Sequence, residues 1–138
     1  MSCIVIATAL LAGAHPAAAA GTRITVSASE FGPMLWGPKR QAIYVFQRDG
    51  FKRSRCSGQC AQAWPPVYTA GKPLAGKGAR RLLLGTIRRG DGRLQVTYRG
   101  RPLYFYVGEK QAGQILCQNV AEFGGLWLVV RASGKLVR

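Results

Sequence analysis

Cys56 and Cys60 stand four positions apart in the stretch Arg55-Cys56-Ser57-Gly58-Gln59-Cys60-Ala61-Gln62-Ala63-Trp64-Pro65-Pro66, and Cys117 is the one further thiol beyond residue 20. On one helical face, two thiolates at this spacing could hold a soft ion such as Cu(I). Cys117 would complete a three-thiolate set that needs no histidine. A thiol–disulfide redox pair is the second chemistry the spacing permits, and Arg53 and Arg55 would favour it by lowering thiol pKa. The expectation placed first is structural: one disulfide, because thiols outside the cytoplasm pair. Cys56–Cys60 would close a tiny loop, easy only if Gly58 distorts the turn. Cys56–Cys117 or Cys60–Cys117 would instead staple two parts of the chain about 60 residues apart. Three is odd, so at most one internal bridge forms and one thiol is left over.

The compartment follows from residues 1–20. They carry no charge, run apolar from Cys3 to Ala12, break at His15-Pro16 and end in four alanines before Gly21. An apolar run of about ten residues followed by small ones predicts a cleaved signal peptide, with cleavage after Ala20, rather than a spanning helix. The mature chain, 21–138, is then periplasmic or secreted and has no transmembrane span. It carries the whole net charge of +15, because all 20 Lys and Arg and all five acids lie beyond residue 20. The one histidine, His15, leaves with the signal. Ser-His-Asp catalysis, His-ligated zinc and haem attachment at a CxxCH are thereby excluded. Glu30, Asp49, Asp91, Glu109 and Glu122 are scattered, with no pair spaced for acid–base work. A non-enzymatic protein is expected.

The elements that must position the thiols are mostly strands. At 138 residues and 48% hydrophobic content the chain fits one domain. Residues 23–29 alternate and predict an edge strand. Residues 34–36 and 42–46 predict a hairpin about the turn Gly37-Pro38-Lys39-Arg40. Residues 56–63 predict a short helix with Ser57 as cap, stopped by Pro65-Pro66. Residues 67–81, rich in Gly, Pro and basic residues, predict an exposed linker. Beyond it, 82–87, 94–98 and 103–107 predict an antiparallel meander with turns at 89–92 and 99–102. Residues 118–122 predict a helical turn, 126–130 a buried strand, and Ser133-Gly134 a small final hairpin.

The two halves correspond. Ile43-Tyr44-Val45-Phe46 matches Leu103-Tyr104-Phe105-Tyr106, Asp49 matches Glu109, Cys56 matches Cys117, and Trp64 matches Trp127. Offsets of 60 to 63 positions predict a duplicated unit with small insertions. The expected fold is mainly β, a small α+β domain of two pseudo-repeats at about 31–70 and 82–138. Each repeat is an antiparallel hairpin followed by a short helix or turn. Cys60 has no counterpart, since Val120 or Ala121 stands there.

The aromatics Tyr44, Phe46, Tyr104 and Tyr106 interleave with Arg40, Arg48, Arg99 and Arg101. On an open sheet face they could stack bases; on a closed one they fill a core. Arg53, Arg55, Arg80, Arg81, Arg88 and Arg89 add positive field, which predicts salt-sensitive adhesion to anionic lipid headgroups or extracellular polyanions, without specific nucleic-acid recognition. Gly90-Asp91-Gly92 and Gly124-Gly125 lack the spacing and Lys-Ser/Thr of phosphate loops and are expected as turns.

Three stretches together carry a family resemblance. They are Cys56 to Pro66, Leu84 to Tyr104 with its Gly85-Thr86-Ile87, Asp91-Gly92 and Gln95-Val96-Thr97-Tyr98, and Phe123-Gly124-Gly125 with Trp127. With Tyr44-Val45-Phe46-Gln47-Arg48-Asp49 they resemble the bacterial secreted-repeat lipoproteins that carry a YxFxxD motif. The resemblance implies paired repeats in an exported protein, marks Tyr44, Phe46, Asp49, Trp64, Pro65, Tyr104 and Trp127 as its structural motif, and brings no catalytic residue. Cys117 lies outside the core motif; if relatives hold only the CxxxC pair, Cys56–Cys60 is the self-sufficient bridge. Cys3 makes no lipobox, which is a departure from the family pattern. Together these point to an exported binding or envelope-associated module without a cofactor, the alternative being copper or thiol chemistry at Cys56, Cys60 and Cys117.

Overall fold

A computed structural model describes residues 21–138; the signal-peptide expectation for 1–20, with Cys3 and His15, falls outside the described residues. The described chain is mainly β. Its elements are β1 (Arg23–Ser27), β2 (Met34–Trp36), β3 (Tyr44–Phe46), α1 (Gln59–Ala63), β4 (Tyr68–Thr69), β5 (Leu74–Ala75), β6 (Leu84–Arg88), β7 (Leu94–Tyr98), β8 (Arg101–Pro102), β9 (Val120–Glu122) and β10 (Gly125–Val129). They form three small sheets, in the orders β2-β1-β5, β3-β10-β9 and β4-β7-β6, with β8 also on β7.

The pairing of β3 with β10 organises the rest. Leu128 lies opposite Val45, and Trp127 opposite Phe46. Both faces of β3 are buried, which a strand allows when its odd and even positions are both apolar. Ile43, Val45, Leu128 and Val130 enter an aliphatic cluster with Ile24, Leu35, Val67, Val96, Tyr98 and Leu103. Tyr44, Phe46, Trp127 and Val129 enter an aromatic cluster with Met34, Trp36, Trp64, Tyr104 and the three described cysteines, Cys56, Cys60 and Cys117. The chain thus has two cores on either side of one strand pair.

Several expected elements take other forms. β1 is central rather than an edge, with β2 antiparallel on one side and β5 parallel on the other. The reason is that 67–81 is not a free linker. Thr22 donates its N–H to Thr69 Oγ1 at 3.0 Å and its hydroxyl to the Tyr68 carbonyl at 2.6 Å, and Val67 and Pro73 are buried. The hairpin of β2 and β3 shrinks to one bridge, Trp36 to Ala42, because β3 is drawn to β10. The third strand of the meander stops at Pro102, and Tyr104 bridges to Tyr44 and Pro66. Residues 120–122 are a strand, not a helical turn: Phe123 and Gly124 both take positive φ, 54° and 81°, and turn β9 back onto β10 as a hairpin. The helix covers only Gln59–Ala63, and its cap is Gly58 at φ 58° with no side-chain hydrogen bond, not Ser57.

Candidate functional site

The repeated Tyr and acid exchange partners. Tyr44 of the first repeat donates its hydroxyl to Glu109 of the second, and Tyr104 of the second donates to Asp49 of the first, at 2.7 Å. Each acid also closes its own loop: Arg55 N–H donates to Asp49 Oδ1 at 2.7 Å, and Leu116 N–H to Glu109 Oε2 at 2.9 Å. Arg55 and Leu116 each immediately precede the corresponding cysteine. Between the two tyrosines the backbones bond reciprocally, Tyr44 N–H to Tyr104 O and the reverse, both at 2.9 Å. Swapping the repeats therefore maps this set of contacts onto itself. Burial raises the pKa of both acids above the usual carboxylate range, and raises both tyrosines further. The Tyr hydroxyls and the backbone N–H groups oppose that rise at the carboxylates by bonding their charged form.

Between these pairs runs a column of four rings. Phe46 stacks on Trp127 with centroids 4.3 Å apart, Trp127 on Trp64 at 3.9 Å, and Trp64 meets Tyr106 at 4.8 Å. Tyr44 stands edge-on to Trp64, and Tyr104 edge-on to Trp127. Both indoles are anchored by Glu122: Trp64 Nε1 donates to its carboxylate at 3.1 Å and Trp127 Nε1 to its carbonyl at 3.0 Å. Of the four aromatics that could stack bases, Tyr44, Phe46 and Tyr104 are 0 to 1% exposed and fill the core instead, while Tyr106 is half-buried against the column. Glu122 was legible only as one of five scattered acids; its offset from Asp49 and Glu109 gave no signal.

The bridge is Cys56–Cys60, with Cα atoms 5.2 Å apart, and Cys117 is free and buried. The bridges to Cys117 do not form, although all three cysteines share one cluster. Gly58 supplies the distortion that a four-residue loop requires. With two sulfurs bonded to each other, the three-thiolate Cu(I) set is not available in this state. Burial, then Glu109, pushes the Cys117 thiol up to about 11, against a hydrogen bond from Tyr106. The remaining thiol is therefore held protonated chiefly by burial and secondarily by Glu109, and neither Arg53 nor Arg55 acts on it. Thiol titration of residues 21–138 should find one reactive group, and only after unfolding. Replacing Cys56 and Cys60 by Ser should cost about 2 kcal/mol in urea unfolding, the loop being short; three thiols in the denatured protein would overturn the bridge.

The six expected surface cations divide. Arg53, Arg55, Arg80, Arg81 and Arg88 are exposed. Arg89 is half-buried and structural: its guanidinium donates to Ser54 Oγ at 2.9 Å, Gln95 Oε1 at 2.8 Å and the Cys56 carbonyl at 2.6 Å. Arg53, Arg88 and Arg89 line one cleft of about 260 Å³ beside Cys56. A larger cleft of about 650 Å³ is lined by Phe51, Arg99, Arg101, Lys135 and Arg138, together with Asp49. Phe51 and Lys135 were not singled out in the sequence. The available signal was a lone aromatic in Gly50-Phe51-Lys52-Arg53, a polar and basic setting.

Residues 25–68 and 85–131 match the model of a lipoprotein family described as a secreted repeat of unknown function. Each matched segment holds one of the two exchanging tyrosines, one exchanged acid and one tryptophan of the central column. No curated protein and no solved structure matches the chain.

Proposed function

The chain belongs to this family of secreted repeats, and from that premise we propose that it is an exported, non-enzymatic module that adheres through its cationic surface to anionic surfaces of the cell envelope. The observation that carries this is how the polar groups are distributed. The motif's hydroxyls and carboxylates are spent on one another, and among the described residues no buried side-chain nitrogen or oxygen lacks a partner. The exposed chemistry is mainly guanidinium and ammonium, on a chain with net charge +15. Such a field concentrates polyanions and is screened within about 10 Å at 0.1 M salt. On this reading the protein acts in the periplasm or outside the cell, after removal of a signal ending at Ala20.

The mature protein should therefore be retained on immobilised heparin at low salt and elute steeply as salt rises. Retention that does not change between low and high salt would remove the electrostatic basis of the proposal.

A further inference from the structure

The larger cleft has a composition that general adhesion does not require. Arg99 and Arg101 flank the turn from β7 to β8, and Lys135 comes from the final hairpin. Beside them Phe51 is 76% exposed, and its position is built rather than accidental. Gly50 and Arg53 close its turn with reciprocal backbone bonds of 3.0 and 3.2 Å, and Lys52 N–H donates to the Gly100 carbonyl at 2.6 Å. The ring packs against Gly100: a Cβ there would come within 2.1 Å of it. Lys52 holds a positive φ of 53°, which a lysine adopts at a cost. The segment tied to the β7–β8 turn by Arg99 N–H to Leu83 O at 2.8 Å carries Leu82, which is 94% exposed.

A rigid turn that keeps a phenylalanine in water, beside cations, suits a boundary between charged headgroups and acyl chains. A soluble polyanion would use the arginines and leave Phe51 without a purpose. We propose that the cleft of Phe51, Arg99, Arg101 and Lys135 docks onto an anionic phospholipid surface, with the cations on headgroup phosphates and Phe51 entering the interfacial layer. This rests on the adhesion proposed above and assigns it a place and a partner.

The test is co-sedimentation of the mature protein with phosphatidylcholine vesicles, with and without phosphatidylglycerol. Arg99→Gln/Arg101→Gln is compared with Arg23→Gln/Lys72→Gln, which removes the same charge outside the cleft. At about fivefold per cation near an anionic surface, the cleft pair should weaken binding by about 25-fold and the control pair by much less. Phe51→Ser should weaken vesicle binding and leave heparin retention unchanged. Equal losses for the two charge pairs would overturn the cleft while leaving general adhesion intact. Vesicle binding unaffected by Phe51→Ser would overturn the apolar contact. Heparin retention without binding to phosphatidylglycerol vesicles would replace the lipid by a polymer. Failure on both would defeat the adhesion proposal as well.

Discussion

Trp127→Ala should remove a large part of the protein's stability and move its unfolding midpoint far down. Trp127 is fully buried, stacked between Phe46 and Trp64 and edge-on to Tyr104, so its removal opens a void at the junction of the repeats. Truncating such a residue costs about 3–5 kcal/mol through lost burial and the cavity, and each aromatic pair adds about 0.5–1.5 kcal/mol. A domain of this size has about 5–15 kcal/mol in total. Trp64→Ala removes the symmetry-related half of the same column and should act alike. Trp127→Phe keeps part of the stack and should fall between. Circular dichroism through a urea titration measures this; a midpoint for Trp127→Ala within error of the parent would show that the column does not hold the repeats together.

The second expected effect concerns the exchanged pairs. Tyr104→Phe and Tyr44→Phe each remove a hydroxyl from a half-buried carboxylate, at about 1.5–3 kcal/mol apiece for a hydrogen bond to a charged group. Each variant leaves the ring packing in place. The effect should depend on pH with a definite sign. Burial holds Asp49 and Glu109 above their unfolded pKa values, so the folded protein binds more protons in that range. Their contribution is fully present below the unfolded carboxylate pKa and is lost as pH rises through the folded one. The charged form, which dominates at higher pH, is the form that depends on the tyrosine donor. The gap between parent and variant should therefore widen with rising pH, and comparing the two at each pH cancels the general repulsion of a cationic chain. A gap that narrows or stays flat would mean the hydroxyls do not stabilise the ionised acids.

Much of this was legible before any coordinates. The equivalence of Tyr44 with Tyr104, Asp49 with Glu109 and Trp64 with Trp127 appears as a 60- to 63-residue offset, and the structure uses those same pairs. The turn at 89–92 also forms, as Gly92 N–H bonds Arg89 O, whereas the turn expected over 99–102 tightens to Arg99-Gly100 because Arg101 and Pro102 pair with β7 as β8. What failed were partners. Residues 23–29 pattern as an edge strand, yet β5 from the supposed linker lies beside them, and no local pattern announces a two-residue strand. Residues 118–122 favour a helical turn by composition, but the hairpin register against Trp127 decides. Arg89 resembles its neighbour Arg88 in sequence, and only packing separates a structural guanidinium from a solvated one.

By itself the sequence determined the duplicated motif, the mainly β character and the cationic balance, since these are properties of composition, spacing and local propensity. The CxxxC stretch began as a choice among three bridges, a copper site and a redox pair. Tertiary structure decided it, closing Cys56 onto Cys60 around Gly58 and burying Cys117 beside Glu109. It also decided that the tyrosine of each repeat serves the acid of the other, and that Phe51 stands exposed among cations. These are contacts between distant positions, and which distant side chains meet depends on how both cores close around β3 and β10, which no local pattern encodes.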